Sequence, residues 1–130
     1  MDSDQQNDDS ANTPTSNGMK DEIEYDDFVK LDVRIGIVVS AEKIEGADEL
    51  IKCTVDFGEL GERTIVSGIL RWKSPEDMVG KQFPYVVNLK PRVLRGVESQ
   101  GMLLAMSFNE ESDFSFLVPE KSVPPGTTVV

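Results

Sequence analysis

The side chains best placed to do chemistry in this chain are Lys90, Arg92 and Arg95, which punctuate the stretch NLKPRVLRGVESQGM from Asn88 to Met102. From Arg63 to Val97 there are seven basic residues against two acidic ones, Glu76 and Asp77; the rest of the chain carries six basic and twenty-two acidic residues, and the whole stands at −11. Solubility does not ask for a cationic island on an anionic body, since excess charge of either sign serves it. A polyanion does ask for one, because each lysine or arginine that neutralises a phosphate releases condensed counterions. A nucleic acid is the implied ligand.

Other chemistries find no residues to run on. With no histidine and a single cysteine, Cys53, the chain offers no Ser-His-Asp or Cys-His pair, no zinc ligand set and no internal disulfide. Carboxylates are plentiful, but no spacing singles out an acid/base pair. The acids of DSDQQNDDS lack the turn glycine and closing glutamate of a calcium loop. Cys53 alternates with apolar neighbours and is expected to act as a small buried hydrophobe. The expectation is a protein that is not an enzyme and takes no cofactor.

Around the cationic stretch, the pattern demands a compact body. Residues 1–20 are expected to form a disordered acidic tail, since the first eighteen hold four acids, no base and no aromatic residue. No apolar run approaches the ~18 residues of a membrane span, and the acidic N-terminus has no signal-peptide layout, so a cytoplasmic chain with no membrane contact is expected. Met1 favours a free-standing module. Residues 21–130 then read as one all-β domain. Leu31, Val33, Ile35, Ile37, Val39 and Ala41 are apolar at period two, with Gly36 marking a bend or bulge. IKCTVDF is a second strand, RTIVSGI a third, YVVNL a fourth and GMLLAMSF a fifth. Between the third and fourth, Ser74 to Val79 has a cap, a first-turn proline and two acids for a short helix, with Gly80 to stop it. Asp26 to Lys30 suits one further helical turn, and Phe114 to Val118 a C-terminal strand extension. Five strands with a helix between the third and fourth is the layout of an OB-fold barrel, and other small barrels share the pattern.

The segments DDFVKLDVRIGIV, GADELIKCTVDFGE, RTIVSGI, SPEDMVGK and NLKPRVLRGVESQGMLLA together resemble the free-standing tRNA-binding domain, which is also appended to methionyl-tRNA synthetases. The resemblance runs from about Tyr25 to Val130, and NLKP followed by RG and SQGM is specific to the family. It implies an OB-fold, sequence-tolerant tRNA binding, homodimerisation through the C-terminal portion, and service in trans or as the β-type subunit of a methionyl-tRNA synthetase catalytic chain. The export-chaperone branch, a peptide-binding module on the same fold, is the alternative. This chain has Glu45-Gly46 where many members carry His-Pro, and Glu49 where lysine is common, which makes the loop after the first strand less cationic.

Carried over by position, the expected RNA surface comprises Asn88, Lys90, Arg92, Arg95, Ser99, Gln100 and Met102. Lysine and arginine suit phosphates; Asn88, Ser99 and Gln100 each pair a donor with an acceptor for a base edge or a ribose hydroxyl; Met102 can lie against an unstacked base. Each has a plainer reading beside it. Asn88 can tie down its own turn. Met102 alternates with Leu104 and Met106, as a core residue would. Trp72, between Arg71 and Lys73, is either a stacking platform or barrel-edge packing, and Arg34 can equally pair with a carboxylate. Pro91 and Gly96 suggest a shaped connection rather than a ladder.

Overall fold

The computed structural model describes residues 18–130, so the expected tail lies, but for its last three residues, outside the described part. Two units are distinguished, Met1–Leu31 and Asp32–Val130. In the first, α1 (Tyr25–Phe28) is a single turn, one residue ahead of its expected start. Its N-terminus is closed by a reciprocal pair, in which the Glu24 side chain takes the Asp27 N–H and the Asp27 carboxylate accepts the Glu24 N–H at 3.3 Å.

The second unit is built on an antiparallel sheet of β1 (Val33–Lys43), β2 (Ile51–Asp56), β3 (Glu62–Ser67), β4 (Gln82–Val86) and β7 (Met102–Leu103), in the order β3-β2-β1-β4-β7. It curls into a nearly closed barrel of the OB type, with one short helix among the described residues. β2 keeps the alternation of its sequence: Ile51, Cys53, Val55 and the following Phe57 are buried, while Lys52, Thr54 and Asp56 are not. Burial pushes the Cys53 thiol up to about 12, so it sits protonated in the core, 3.8 Å from the Met78 sulfur.

In β1 the simple alternation fails. Val38 is buried at 1 % exposure while Val39 stands 48 % exposed. The ladder with β2 slips between Val38 and Ser40, so Val39 is the extra residue of a bulge, and the inward side changes from Gly36 and Val38 to Ala41. Gly36 serves close approach rather than the bulge itself, since a Cβ there would fall 2.4 Å from Val55 Cγ1 and 2.7 Å from Phe57 Cε1.

The expected helix contracts to one 3₁₀ turn, Pro75–Asp77. The Asp77 carboxylate accepts the Ser74 N–H at 2.8 Å and the Ser74 hydroxyl at 3.1 Å, and those bonds hold its pKa below the usual carboxylate range. Gly80, at φ +83°, ends the segment as expected. The turn carries Met78 into the core at 0 % exposure, beside Phe83 and Tyr85. Burying side chains of this size is worth about 1.5–3 kcal/mol each.

The expected fifth strand divides at Leu104. β7 stays in the barrel, whereas β8 (Ala105–Phe108) leaves it to pair with β9 (Asp113–Phe116), where the C-terminal strand was expected. The last residues return to β1: Gly126 N–H donates to the Ile35 carbonyl at 2.7 Å, Ile35 N–H to Thr127 at 2.9 Å and Val129 N–H to Val33 at 2.8 Å. Gln82 secures their approach, its carboxamide accepting the Val123 N–H at 3.0 Å and donating to the Val123 carbonyl at 2.5 Å.

Candidate nucleic-acid interface

The stretch from Asn88 to Met102 is a ladder after all. β5 (Arg92–Leu94) and β6 (Val97–Ser99) pair as Arg92↔Ser99, Val93↔Glu98 and Leu94↔Val97. The tip is Arg95-Gly96, with φ +52° and +79°, the left-handed pair that a two-residue hairpin turn requires. Glycine takes this conformation freely; arginine does not, so the tip holds a charged side chain outward at a steric cost. The connection without a ladder expected from Pro91 and Gly96 is corrected to a short antiparallel hairpin, with Gly96 supplying its turn.

What holds the hairpin is a seam of side chains where the barrel closes. Ser99 Oγ accepts the Val66 N–H at 2.9 Å and donates to the Gly101 carbonyl at 3.2 Å. Gln100 N–H donates to the Thr64 carbonyl at 2.8 Å, and Thr64 N–H donates in return to Gln100 Oε1 at 3.0 Å, so the carboxamide replaces a backbone partner. A Cβ on Gly101 would lie 3.0 Å from both Ile65 Cδ1 and the Val86 carbonyl, which fixes that step as glycine. At the other foot, Asn88 Oδ1 accepts the Asp32 N–H at 2.9 Å. Asn88, Ser99 and Gln100 thus act together to set the base of the hairpin, and Ser99, 5 % exposed, does so from inside.

Lys90, Arg92 and Met102 line one hollow and Arg95 stands apart at the hairpin tip, all four of them exposed. Among the described residues none of these three cations has an ion-pair partner, whereas Arg34 pairs with Asp32 at 2.9 Å, Lys52 with Glu42 at 3.6 Å and Arg71 with Glu111 at 3.2 Å. The Arg34 guanidinium takes both oxygens of Asp32, and its pKa rises accordingly; it is a pairing residue here. Arg95 shares a hollow of about 280 Å³ with Asp48 and Glu49. Arg92 has no such acidic company: it lines two hollows, and neither holds a carboxylate.

Trp72 is committed elsewhere. Its ring stacks on Phe114 at 5.0 Å, lies 4.4 Å from the Arg71 guanidinium and donates its N–H to the Glu111 carbonyl at 3.2 Å. It packs as part of the barrel edge. The residue that sequence reasoning missed is Arg63. Its Nη1 donates to the Val87 carbonyl at 2.6 Å and to that of Gln100 at 3.4 Å, which ties together the two feet of the hairpin. The sequence signal was its place at the head of the cationic stretch, although its charge serves carbonyls and not an external anion.

The profile described as putative tRNA binding domain matches residues 33–128. The methionine–tRNA ligase of Flavobacterium johnsoniae is 48 % identical over 110 residues, 85 % of this chain and 15 % of that protein; the ligase of Methanococcoides burtonii is 47 % identical over 110 residues, 85 % of this chain and 16 % of that protein. The chain thus spans about one-sixth of the length of the curated relatives it matches. Among solved structures, a methionyl-synthetase-related protein of Pyrococcus horikoshii superposes with a TM-score of 0.80 at 42 % identity, covering 85 % of this chain and 99 % of that one. The chaperone CsaA of Bacillus anthracis gives 0.76 at 34 % identity, covering 85 % and 100 %. Matched along nearly all of its barrel and hairpin, the chain belongs to the tRNA-binding domain family.

Proposed function

We propose that this protein is a non-catalytic, largely sequence-tolerant tRNA-binding module. It works in trans or as the β-type subunit beside a methionyl-tRNA synthetase catalytic chain, in the cytoplasm. The observation that carries the reading is the hairpin itself: Lys90, Arg92 and Arg95 stand exposed on a rigidly footed projection of a tRNA-binding-family barrel. Phosphate contacts position a nucleic acid without reading its sequence, which fits tolerance among tRNAs. Held beside a catalytic partner, such a module raises the local concentration of tRNA. The −11 net charge opposes long-range attraction, so affinity is modest and salt-sensitive.

Peptide binding is the second reading. It is favoured by the likeness to CsaA and by the hollow beside Arg92 that Leu50, Ile69, Met106 and Phe114 help to wall. A gel shift with total tRNA, challenged by an unfolded peptide, separates the two. Retention of the tRNA shift supports the first reading, and displacement at low micromolar peptide supports the second. We also propose that the module is a homodimer joined through its C-terminal portion. β8 is exposed along its whole length, with Met106 43 % and Phe108 48 % exposed, and an edge of this kind invites a second copy. Light scattering at micromolar concentration decides the point: a mass near the 14.4 kDa of one chain contradicts the dimer.

A further inference from the structure

Arg92 and Met102 stand between two hollows. The larger, about 440 Å³, opens between the β5–β6 and β8–β9 hairpins and is walled by Leu50, Ile69, Trp72, Met106 and Phe114. The smaller, about 270 Å³, is walled by Leu89, Lys90, Ser99 and Gly101. Val66, Arg92, Leu94 and Met102 belong to both. In the β5 strand Arg92 and Leu94 are two residues apart and so share a face, which turns the guanidinium and the leucine toward the same pair of hollows.

Across this surface a hollow of mixed lining and a mostly apolar one flank the Arg92 cation. A single strand of RNA repeats the complementary order, with a flat and largely apolar base on either side of each anionic phosphate. A duplex hides its bases and can use only the cations. An apolar protein segment can use the hollows but brings no anion to Arg92 and Lys90. Trp72, engaged by Phe114 and Arg71, offers an edge rather than a face, so a base here is held between aliphatic side chains. Ser67 and Ser107 in the larger hollow, and Ser99 and Lys90 in the smaller, place polar groups along the lining without a pattern that selects one base.

We infer that the site takes two consecutive unpaired nucleotides, with one base in each hollow and the phosphate that joins them on Arg92. This rests on the RNA-binding reading and specifies the ligand it takes.

The test uses the intact protein and three probes at one salt concentration: total tRNA, a uridylate hexamer, and the same hexamer with its two central bases removed. Loss of two held bases is expected to weaken the hexamer roughly ten-fold or more, since burial of the base surface in the hollows carries its base-dependent binding. A filling variant supplies the second arm. Gly68 lines the larger hollow, and a Cβ there meets nothing nearer than Leu50 Cδ2 at 3.8 Å, so Gly68→Leu is the variant chosen to fill it. It is expected to bring the full hexamer close to the abasic one while an RNA duplex of equal charge binds as before. Equal affinity for the full and abasic hexamers, with tRNA still bound, overturns the inference and spares the broader reading. So does displacement of the hexamer by an extended apolar peptide. Failure to bind tRNA at all overturns the RNA-binding reading itself.

Discussion

Two hairpins leave the barrel, and they are built in opposite ways. The β5–β6 hairpin is cationic, and its feet are fixed by buried or half-buried hydrogen bonds through Arg63, Ser99 and Gln100. The β8–β9 hairpin is acidic at its tip, where Asn109, Glu110 and Glu111 sit at φ +53°, +56° and +68°. It is held by an exposed Arg71–Glu111 pair and by the packing of Phe114 and Phe116 against Trp72 and Phe83. The first places three charges with precision; the second tolerates three strained residues and relies on aromatic contact. A charged surface meant to meet a phosphate needs rigid feet, because misplacement by an ångström forfeits the hydrogen bond, whereas an apolar wall can shift and still exclude water.

The sharpest break of this comparison falls on the first hairpin. Arg92→Ala is expected to weaken tRNA binding roughly ten-fold or more, since a hydrogen bond to a charged group is worth about 1.5–3 kcal/mol. Arg95→Ala should cost less, because Asp48 and Glu49 already share its hollow. Fluorescence anisotropy of both variants ranks them, and a larger loss for Arg95 would reverse the assignment.

Next comes the seam. Ser99→Ala leaves the buried Val66 N–H without its partner at 2.9 Å and is expected to lower stability by about 1–3 kcal/mol, read as the urea midpoint. A companion change tests positioning without charge contact. Arg63→Met removes the tie between Val87 and Gln100 and should weaken tRNA binding while leaving the salt dependence as steep as in the intact protein. A flatter salt dependence would make Arg63 a phosphate contact instead.

The smallest effect is expected in the second hairpin. Glu110→Gly relieves a left-handed residue at an exposed tip and should stabilise the fold by about 0.5–1 kcal/mol, with tRNA affinity unchanged or slightly improved. Loss of stability in thermal unfolding would mean that the strained tip is held by more than its backbone.

Much of this was legible in the sequence where local physics decides it. The alternation of Ile51, Cys53, Val55 and Phe57 survives intact in β2, and the Ser74 to Asp77 capping pattern forms as spaced, although its helix shrinks to one turn. The cations of the family string stand on an exposed projection. What the sequence could not show depends on partners far along the chain. The odd-numbered apolar residues of β1 look inward, yet Gly36 and Val38 take that side and the bulge at Val39 then passes it to Ala41. Asn88, Ser99 and Gln100 are expected on the RNA surface from the family resemblance; the bonds that tie them to Asp32, Val66 and Thr64, 56, 33 and 36 residues away, are not legible in that string. The same holds for Arg63, whose bond to Val87 spans 24 residues.

The central claim is that the cations of the β5–β6 hairpin meet the phosphates of tRNA. The salt dependence of tRNA affinity, measured for the intact protein and for the Arg92→Ala/Arg95→Ala double variant, tests it most directly. Each phosphate contact removed should take about 0.7–0.9 from the slope of log K against log salt, so the double variant is expected to be flatter by roughly 1.4–1.8 and weaker toward all tRNAs alike. Parallel lines from a double variant that is folded by circular dichroism would contradict it and move the RNA contact off this hairpin.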